Sequence, residues 1–281
     1  MKIYCITHKP NEHISKLGLI PFGVGLSNFP DGYLTEKNGE NISHKNNNYS
    51  ETSFHYWYWK NILKTKPKNE WFGMCQYRRY FVKYEYKDLI KYSDGYQGFY
   101  PNIKKISDLK KMLQLDTPDE WNKYDIILCE PWSVTVKSKT KLFKRGFKSI
   151  IKDPLILFNK KKQNIKLHFD MHHGYGILEK ASKELKEGDR DEFLDYVSNN
   201  SVLNPHIMFI AKKKILNKWF IDCFEWLFKC EKLFGFDNLT GYDKKRLYAF
   251  LAERYLSFWF HKYARPIAWH WAFYDIEKEE S

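Results

Sequence analysis

Short apolar runs alternate along this chain with longer amphipathic segments, and that interleaving limits the fold more than any other feature of the sequence. KIYCIT (2–7), WFGMC (71–75), YDIILCEP (124–131) and NPHIMFIAKK (204–213) have the length and residue types of strands, and LIPFGVG (19–25) is a shorter apolar piece. Between and after them, SETSFHYWYWKNILK (50–64), ISDLKKMLQL (106–115), ILEKASKELKEGDRDEFLDYV (177–197), LNKWFIDCFEWLFKCEKLF (216–234) and KKRLYAFLAERYLSFWFHKY (244–263) read as helices. Ser50 is expected to cap the first of these. The alternation predicts an α/β protein with a mixed sheet. At 281 residues the chain is long enough for one large core. The expected organisation is a single domain over 1–263 and an aromatic tail over 264–281, with EKEES frayed at the end.

The polar exceptions fall at strand ends: His8, Arg78, Arg79, Asn204 and His206. Open α/β sheets bind ligands outside the carboxyl ends of their strands, so these residues mark the expected site. Two adjacent arginines after an apolar strand face an anion, either a carboxylate of the chain or a phosphate of a ligand. Neither GxGxxG nor GxxxxGK[ST] occurs, so no dinucleotide fingerprint or P-loop is present. A net charge of +13 suits polyanionic partners, although a lysine-rich solvated surface explains it equally well. Nucleic acid is one such partner. It is disfavoured, because no RNP-like, helix-turn-helix or zinc-finger pattern occurs and the aromatics fall mostly at core spacing.

Five scattered cysteines without a CxxC pair argue against a disulfide framework or a zinc site and for a reducing compartment. MKIYCITHKP lacks signal-peptide character, and no apolar run is long enough to span a bilayer, so a soluble or peripherally attached protein is expected. Residues 136–152 carry Lys137, Lys139, Lys141, Lys144, Arg145, Lys148 and Lys152 with no acid, interleaved with Leu142, Phe143, Phe147, Ile150 and Ile151. Such a segment suits an anionic membrane surface or a solvated face. HFDMHHGYG (168–176) clusters histidines around Asp170, but adjacent His172 and His173 point in different directions and make a poor metal pair. GDRDEF reads as solvated surface, and Glu253-Arg254 places an ionisable pair inside an apolar helix.

KIYCITHKP, GENISHKNNNYSETSFHYWYWKN, WFGMCQYRRYF, YDIILCEP, NPHIMFIAKK with its WLF helix, and FLAERYL, in that order over about residues 1–263, resemble a bacterial family of capsular, exopolysaccharide and O-antigen glycosyltransferases. That family was long catalogued only as a domain of unknown function, and some members are β-galactofuranosyltransferases. The chain departs from the family pattern at Gln76, where histidine is expected, and in NPHIMFI, where a plainer asparagine–methionine start is expected.

The resemblance implies a GT-A-like α/β domain with a mixed, mainly parallel sheet and added acceptor-side helices. It implies a UDP-sugar donor, best matched by UDP-galactofuranose, with transfer by inversion onto a lipid-linked or oligosaccharide acceptor. It also implies a cytoplasmic location at the inner face of the membrane. Under this reading Thr7, His8 and Lys9 approach the nucleotide. Asn41, Ser43, Lys45 and Asn46 reach the diphosphate or ribose, or else only hold a polar loop through Asx-turns. Asn204 and His206 face the donor sugar or the acceptor.

Glu253 is the first candidate base, with a structural salt bridge to Arg254 as the competing reading, and Asp170 is the second. Many GT-A enzymes end the corresponding strand in a metal-binding Asp-x-Asp. Here that place reads Gln76-Tyr77-Arg78-Arg79, so the arginines are expected to replace the metal, with Tyr77 orienting them or stacking on the ligand. Catalysis without cofactor is expected, with Mn or Mg as the alternative. A different UDP-sugar, or an inactive scaffold of the same fold, are the other readings.

Overall fold

Lys2–Thr7 forms strand β1 near the middle of a nine-stranded sheet. The structure is a computed structural model, and it describes residues 1–92, 99–101, 103, 105–136, 138–275 and 277. The other strands are β2 (Ile20–Gly23), β3 (Leu34–Thr35), β4 (Trp71–Gln76), β5 (Arg79–Phe81), β6 (Ile126–Cys129), β7 (Phe209–Lys212), β8 (Pro266–Trp269) and β9 (Trp271–Phe273). The longer helices are α1 (Thr52–Asn61), α2 (Lys139–Lys152), α3 (Ile165–His173), α4 (Glu187–Asn199), α5 (Lys213–Phe234) and α6 (Leu247–Tyr263). The spatial order is β8-β6-β7-β4-β1-β2-β3, with β5 joined to β4 and β9 to β5. The pairs β1–β2, β1–β4, β2–β3 and β6–β8 are parallel, whereas β7 is antiparallel to both β4 and β6. The protein is thus α/β with a mixed, mainly parallel sheet.

Successive strand residues point to opposite faces, and both faces are covered. Tyr4 and Ile6 join Phe22, Phe72, Met74, Leu128 and Phe209 on the face packed by α1, α5 and α6. Ile3 and Cys5 join Cys75, Ile127, Cys129 and Ile210 on the other face. Burial on both sides is why these strands read as continuous apolar runs. The aromatics fill the first layer: Tyr58 stacks on Phe72 at 3.9 Å and Trp59 on Phe224 at 5.8 Å. All five cysteines are buried and unpaired.

Several local expectations change. The first helix starts at Thr52, and the Ser50 hydroxyl does not cap it; Ser50 instead takes φ 48° and its carbonyl accepts from Ser53 N at 3.1 Å. Residues 177–197 divide into a helix at Ile177–Ser182 and α4. The GDRDEF segment is not all solvated, because Asp189 is fully buried and accepts from Tyr255 Oη at 2.6 Å and Lys262 Nζ at 2.9 Å. The strand expected over 204–213 is confined to Phe209–Lys212. The expected aromatic tail supplies two strands: β8 pairs with β6, and β9 with β5. Of the basic run, Lys137 lies outside the described residues, as do residues 276 and 278–281 of the C-terminal segment.

Candidate active site

The carboxyl ends of β1, β2, β4 and β6 open on one edge of the sheet. Because β7 is antiparallel, the residues leading into it, His206 and Ile207, arrive at that same edge. A large cleft lies there, bordered by Thr7, His8, Tyr77, Arg79 and His206 on the sheet side. Residues of α3 and α6, including His168, His172, Glu253 and Arg254, form the facing wall. This is the place where ligands of open α/β sheets bind.

The two arginines are separated by a turn rather than by strand alternation. Gln76 at the end of β4 pairs with Arg79 at the start of β5, so Tyr77-Arg78 is a two-residue hairpin connection. Neither turn residue has positive φ, so the turn lacks the Gly or Asn that a primed hairpin turn demands. Arg78 pairs with Asp275 at 3.3 Å and Glu277 at 3.1 Å, and lies 5.0 Å from the Tyr77 ring. Arg79 donates to the neutral amide oxygen of Gln76 at 2.7 Å, and Gln76 in turn donates to Glu51. Arg78 is thus held by carboxylates of the chain itself, while Arg79 contacts a neutral group.

Glu253 meets the opposite side of the cleft. Its Oε1 accepts the backbone N–H of His206 at 2.6 Å, and its Oε2 pairs with Arg254. His206 has φ 64°, an uncommon left-handed conformation for a residue with a side chain. Arg254 is 2% exposed and its Nη2 lies 3.3 Å from His168 Nδ1 and 3.4 Å from His173 Nε2.

Every histidine at this cleft whose titration is perturbed is pushed toward the neutral form. Burial lowers His206, with Arg79 adding to it. Burial and then Arg254 lower His168 and His173. Burial, Arg145 and Lys141 bring His172 down to about 4. At His8, burial is followed by Arg246, Lys9 and Arg78. The cleft lining also carries Glu51, Glu130, Asp243 and Glu253, but Lys and Arg outnumber these acids, and with the imidazoles neutral the balance of charge favours an anionic ligand.

Of the residues expected to form the site, Thr7, His8, Ser43, Asn46, Tyr77, Arg78, Arg79, His206, Glu253 and Arg254 border the cleft. Thr7 Oγ1 bonds the backbone of Lys9, and Asn46 donates to Ser50 O at 2.9 Å. The other five sit elsewhere. Lys9 pairs with Glu277, and Lys45 with Glu231 at 2.7 Å. Asn41 accepts from Ser43 N at 3.2 Å, the Asx-type loop contact. Asn204 is buried and donates to Cys129 O at 2.7 Å. Asp170 is held by Lys166 at 3.1 Å and by Gly176 N–H at 3.0 Å, away from the cleft. Each of these polar groups has a partner within the chain.

Arg246, Tyr242, Glu51, Gln76 and Lys141 border the cleft without having been singled out as site residues. The run KKR at 244–246 was the only signal for Arg246. The residues at the end of β4 do not suit a divalent cation, since an amide, a phenol and two guanidinium groups offer no carboxylate pair. Among the described residues, no group of three or more His, Cys, Asp or Glu is placed to hold a metal.

Fold and cleft together define an α/β protein that presents a cationic site at a sheet edge. The chain belongs to the family described as Domain of unknown function (DUF4422), whose model matches residues 2–264. It is also similar to the apo structure of WbbM, a bifunctional glycosyltransferase, with TM-score 0.69 and 21% identity over 97% of this chain. The match covers 45% of the WbbM chain, so this chain spans less than half of that protein. The likeness establishes a shared, GT-A-like fold. No curated protein matches the sequence.

Proposed function

We propose that the chain is a glycosyltransferase that takes a nucleoside-diphosphate sugar, with UDP-galactofuranose as the donor to test first. The observation that carries this reading is the cleft itself: fixed cations and a partly buried carboxylate face each other across the carboxyl edge of a GT-A-like sheet. On this reading Arg79 from the sheet side and Arg246 from the facing wall bind the diphosphate, and Arg78 joins them if its carboxylate partners yield. In transfer with inversion, an acceptor hydroxyl attacks the anomeric carbon, its proton passes to Glu253, and the carbon–oxygen bond to the diphosphate breaks with the electron pair leaving on UDP. Each Glu253 oxygen carries one hydrogen bond and keeps a lone pair for that proton. The guanidinium groups favour the charge that builds on the leaving diphosphate. On this reading the chemistry needs no divalent ion.

A panel of UDP-sugars, including the furanose form, offered with an oligosaccharide acceptor in excess EDTA, tests the reading. Product from one donor supports it. Hydrolysis and transfer absent for every donor, with or without manganese, would overturn it. Thermal stabilisation by oligonucleotides but not by UDP would favour a nucleic-acid-binding protein instead.

A further inference from the structure

Among the described residues, nothing covers one face of α2. Phe143, Phe147 and Ile151, spaced four apart, are 53%, 49% and 65% exposed, and Leu155 and Phe158 extend the strip at 58% and 81%. Phe143 and Phe147 meet edge to face at 5.6 Å, so the strip is ordered by its own contacts. The opposite face, Leu142, Gly146 and Ile150, is buried. A Cβ on Gly146 would stand 3.5 Å from Met171 of α3, the spacing of ordinary contact, so the two helices lie close together. Residues 138–163 carry nine Lys and Arg against one acid, Asp153, which Lys162 engages at 2.6 Å.

We propose that α2 and the turn through Phe158 dock in the interface of an anionic lipid membrane. An acid-free basic helix with an aromatic stripe lies in the headgroup plane, its rings among acyl chains and its lysines at lipid phosphates. That charge pattern selects a lipid surface: an apolar protein partner would meet a rim of like-signed lysines with nothing to pair them. No helix among the described residues is long and apolar enough to cross a membrane, so the contact is peripheral. Arg145 of α2 bonds His172 Nδ1 at 2.7 Å, and Lys141 borders the cleft. The docked face therefore holds the cleft one helix width from the headgroups. Docking stands independently of the transferase reading; the consequence that a lipid-carried acceptor enters from the α2 side rests on it.

Vesicle co-sedimentation with the full chain tests the proposal. Phosphatidylglycerol-containing vesicles pellet the protein at low salt and release it as salt rises, while phosphatidylcholine vesicles do not. Phe143→Ser with Phe147→Ser, and separately Lys144→Glu with Lys148→Glu, each weaken partitioning at least tenfold without shifting the thermal melt, since all four side chains are exposed. Equal binding to neutral vesicles, no binding to anionic ones, or binding unchanged in both double variants overturns it. A dimer in light scattering that the Phe143/Phe147 variant dissolves, with no vesicle binding, would assign the strip to a second copy and equally overturn it. Vesicle binding without sugar transfer would leave docking intact and sink the transferase reading.

Discussion

Glu253 accepts the backbone N–H of His206 at 2.6 Å across 47 positions of sequence, and the contact ties α6 to the segment that leads into β7. It clamps His206 in its left-handed conformation, a state that persists only where its surroundings hold it. The same carboxylate is the proposed base, so its two roles must be separated.

Glu253→Gln separates them. The amide oxygen still accepts the His206 N–H, so that clamp is kept while the proton acceptor is lost; the amide NH2 cannot pair with Arg254, so the melting temperature is expected to fall as well. Turnover is expected to fall by about 10²–10⁴, the usual contribution of a general base. Asp170→Asn is expected to leave turnover near wild type and lower the melting temperature, because Lys166 loses its buried partner. A folded Glu253→Gln protein with wild-type turnover, measured beside circular dichroism, would remove Glu253 from the chemistry.

The hairpin sorts the two arginines. Arg79→Ala is expected to cost about 10²–10³ in turnover, as for loss of one transition-state donor. Arg78→Ala costs less, since Asp275 and Glu277 already neutralise that side chain. Excess EDTA is expected to leave the wild-type rate unchanged. Loss in EDTA that manganese restores, or two folded arginine variants with full activity, would contradict the assignment.

Glu36 gives a pH-dependent stability. It is fully buried, and desolvation raises its carboxyl from 4.5 to about 7 despite bonds from Gly25 N and Ser53 Oγ. The folded chain holds this proton more tightly than the unfolded chain. The group's contribution is therefore complete below about 4.5 and is lost as pH rises through 7, by an amount on the order of 3 kcal/mol. Glu36→Gln keeps the neutral shape and removes this pH dependence. Urea unfolding at pH 5 and pH 8 should show wild type losing stability relative to the variant; parallel behaviour would exclude the effect.

Gly73 in β4 is required by packing. A Cβ there would stand 2.8 Å from Ile3 Cγ1 and 3.3 Å from Ile210 Cγ1, on neighbouring strands. Gly73→Ala is expected to cost about 1–3 kcal/mol, as overpacking does. Thermal melts check this. An unchanged melting temperature for Gly73→Ala would show that the strands part at no cost.

Local pattern determined the strands, the amphipathic helices and the α/β class, because burial on one or both faces leaves a periodic mark within a few residues. It also marked His8, Arg79, His206 and Glu253 as polar exceptions at element ends or inside an apolar helix. Tertiary structure decided which of these meet. The antiparallel direction of β7 brings His206 to the carboxyl edge of β1 and β4, and strand direction leaves no trace in an apolar run. The Tyr77-Arg78 turn lacks glycine and asparagine, so its reversal is set by the pairing of β5 with β4 and β9. Asp189 looked solvated beside Arg190, Asp191 and Glu192, yet Tyr255 and Lys262 from α6 enclose it. Asn204, Lys45 and Asp170 carried the residue types of a site, but their hydrogen bonds are taken by Cys129, Glu231 and Lys166. A polar side chain binds whatever the fold places within about 3 Å of it, and only the packed chain specifies that neighbour.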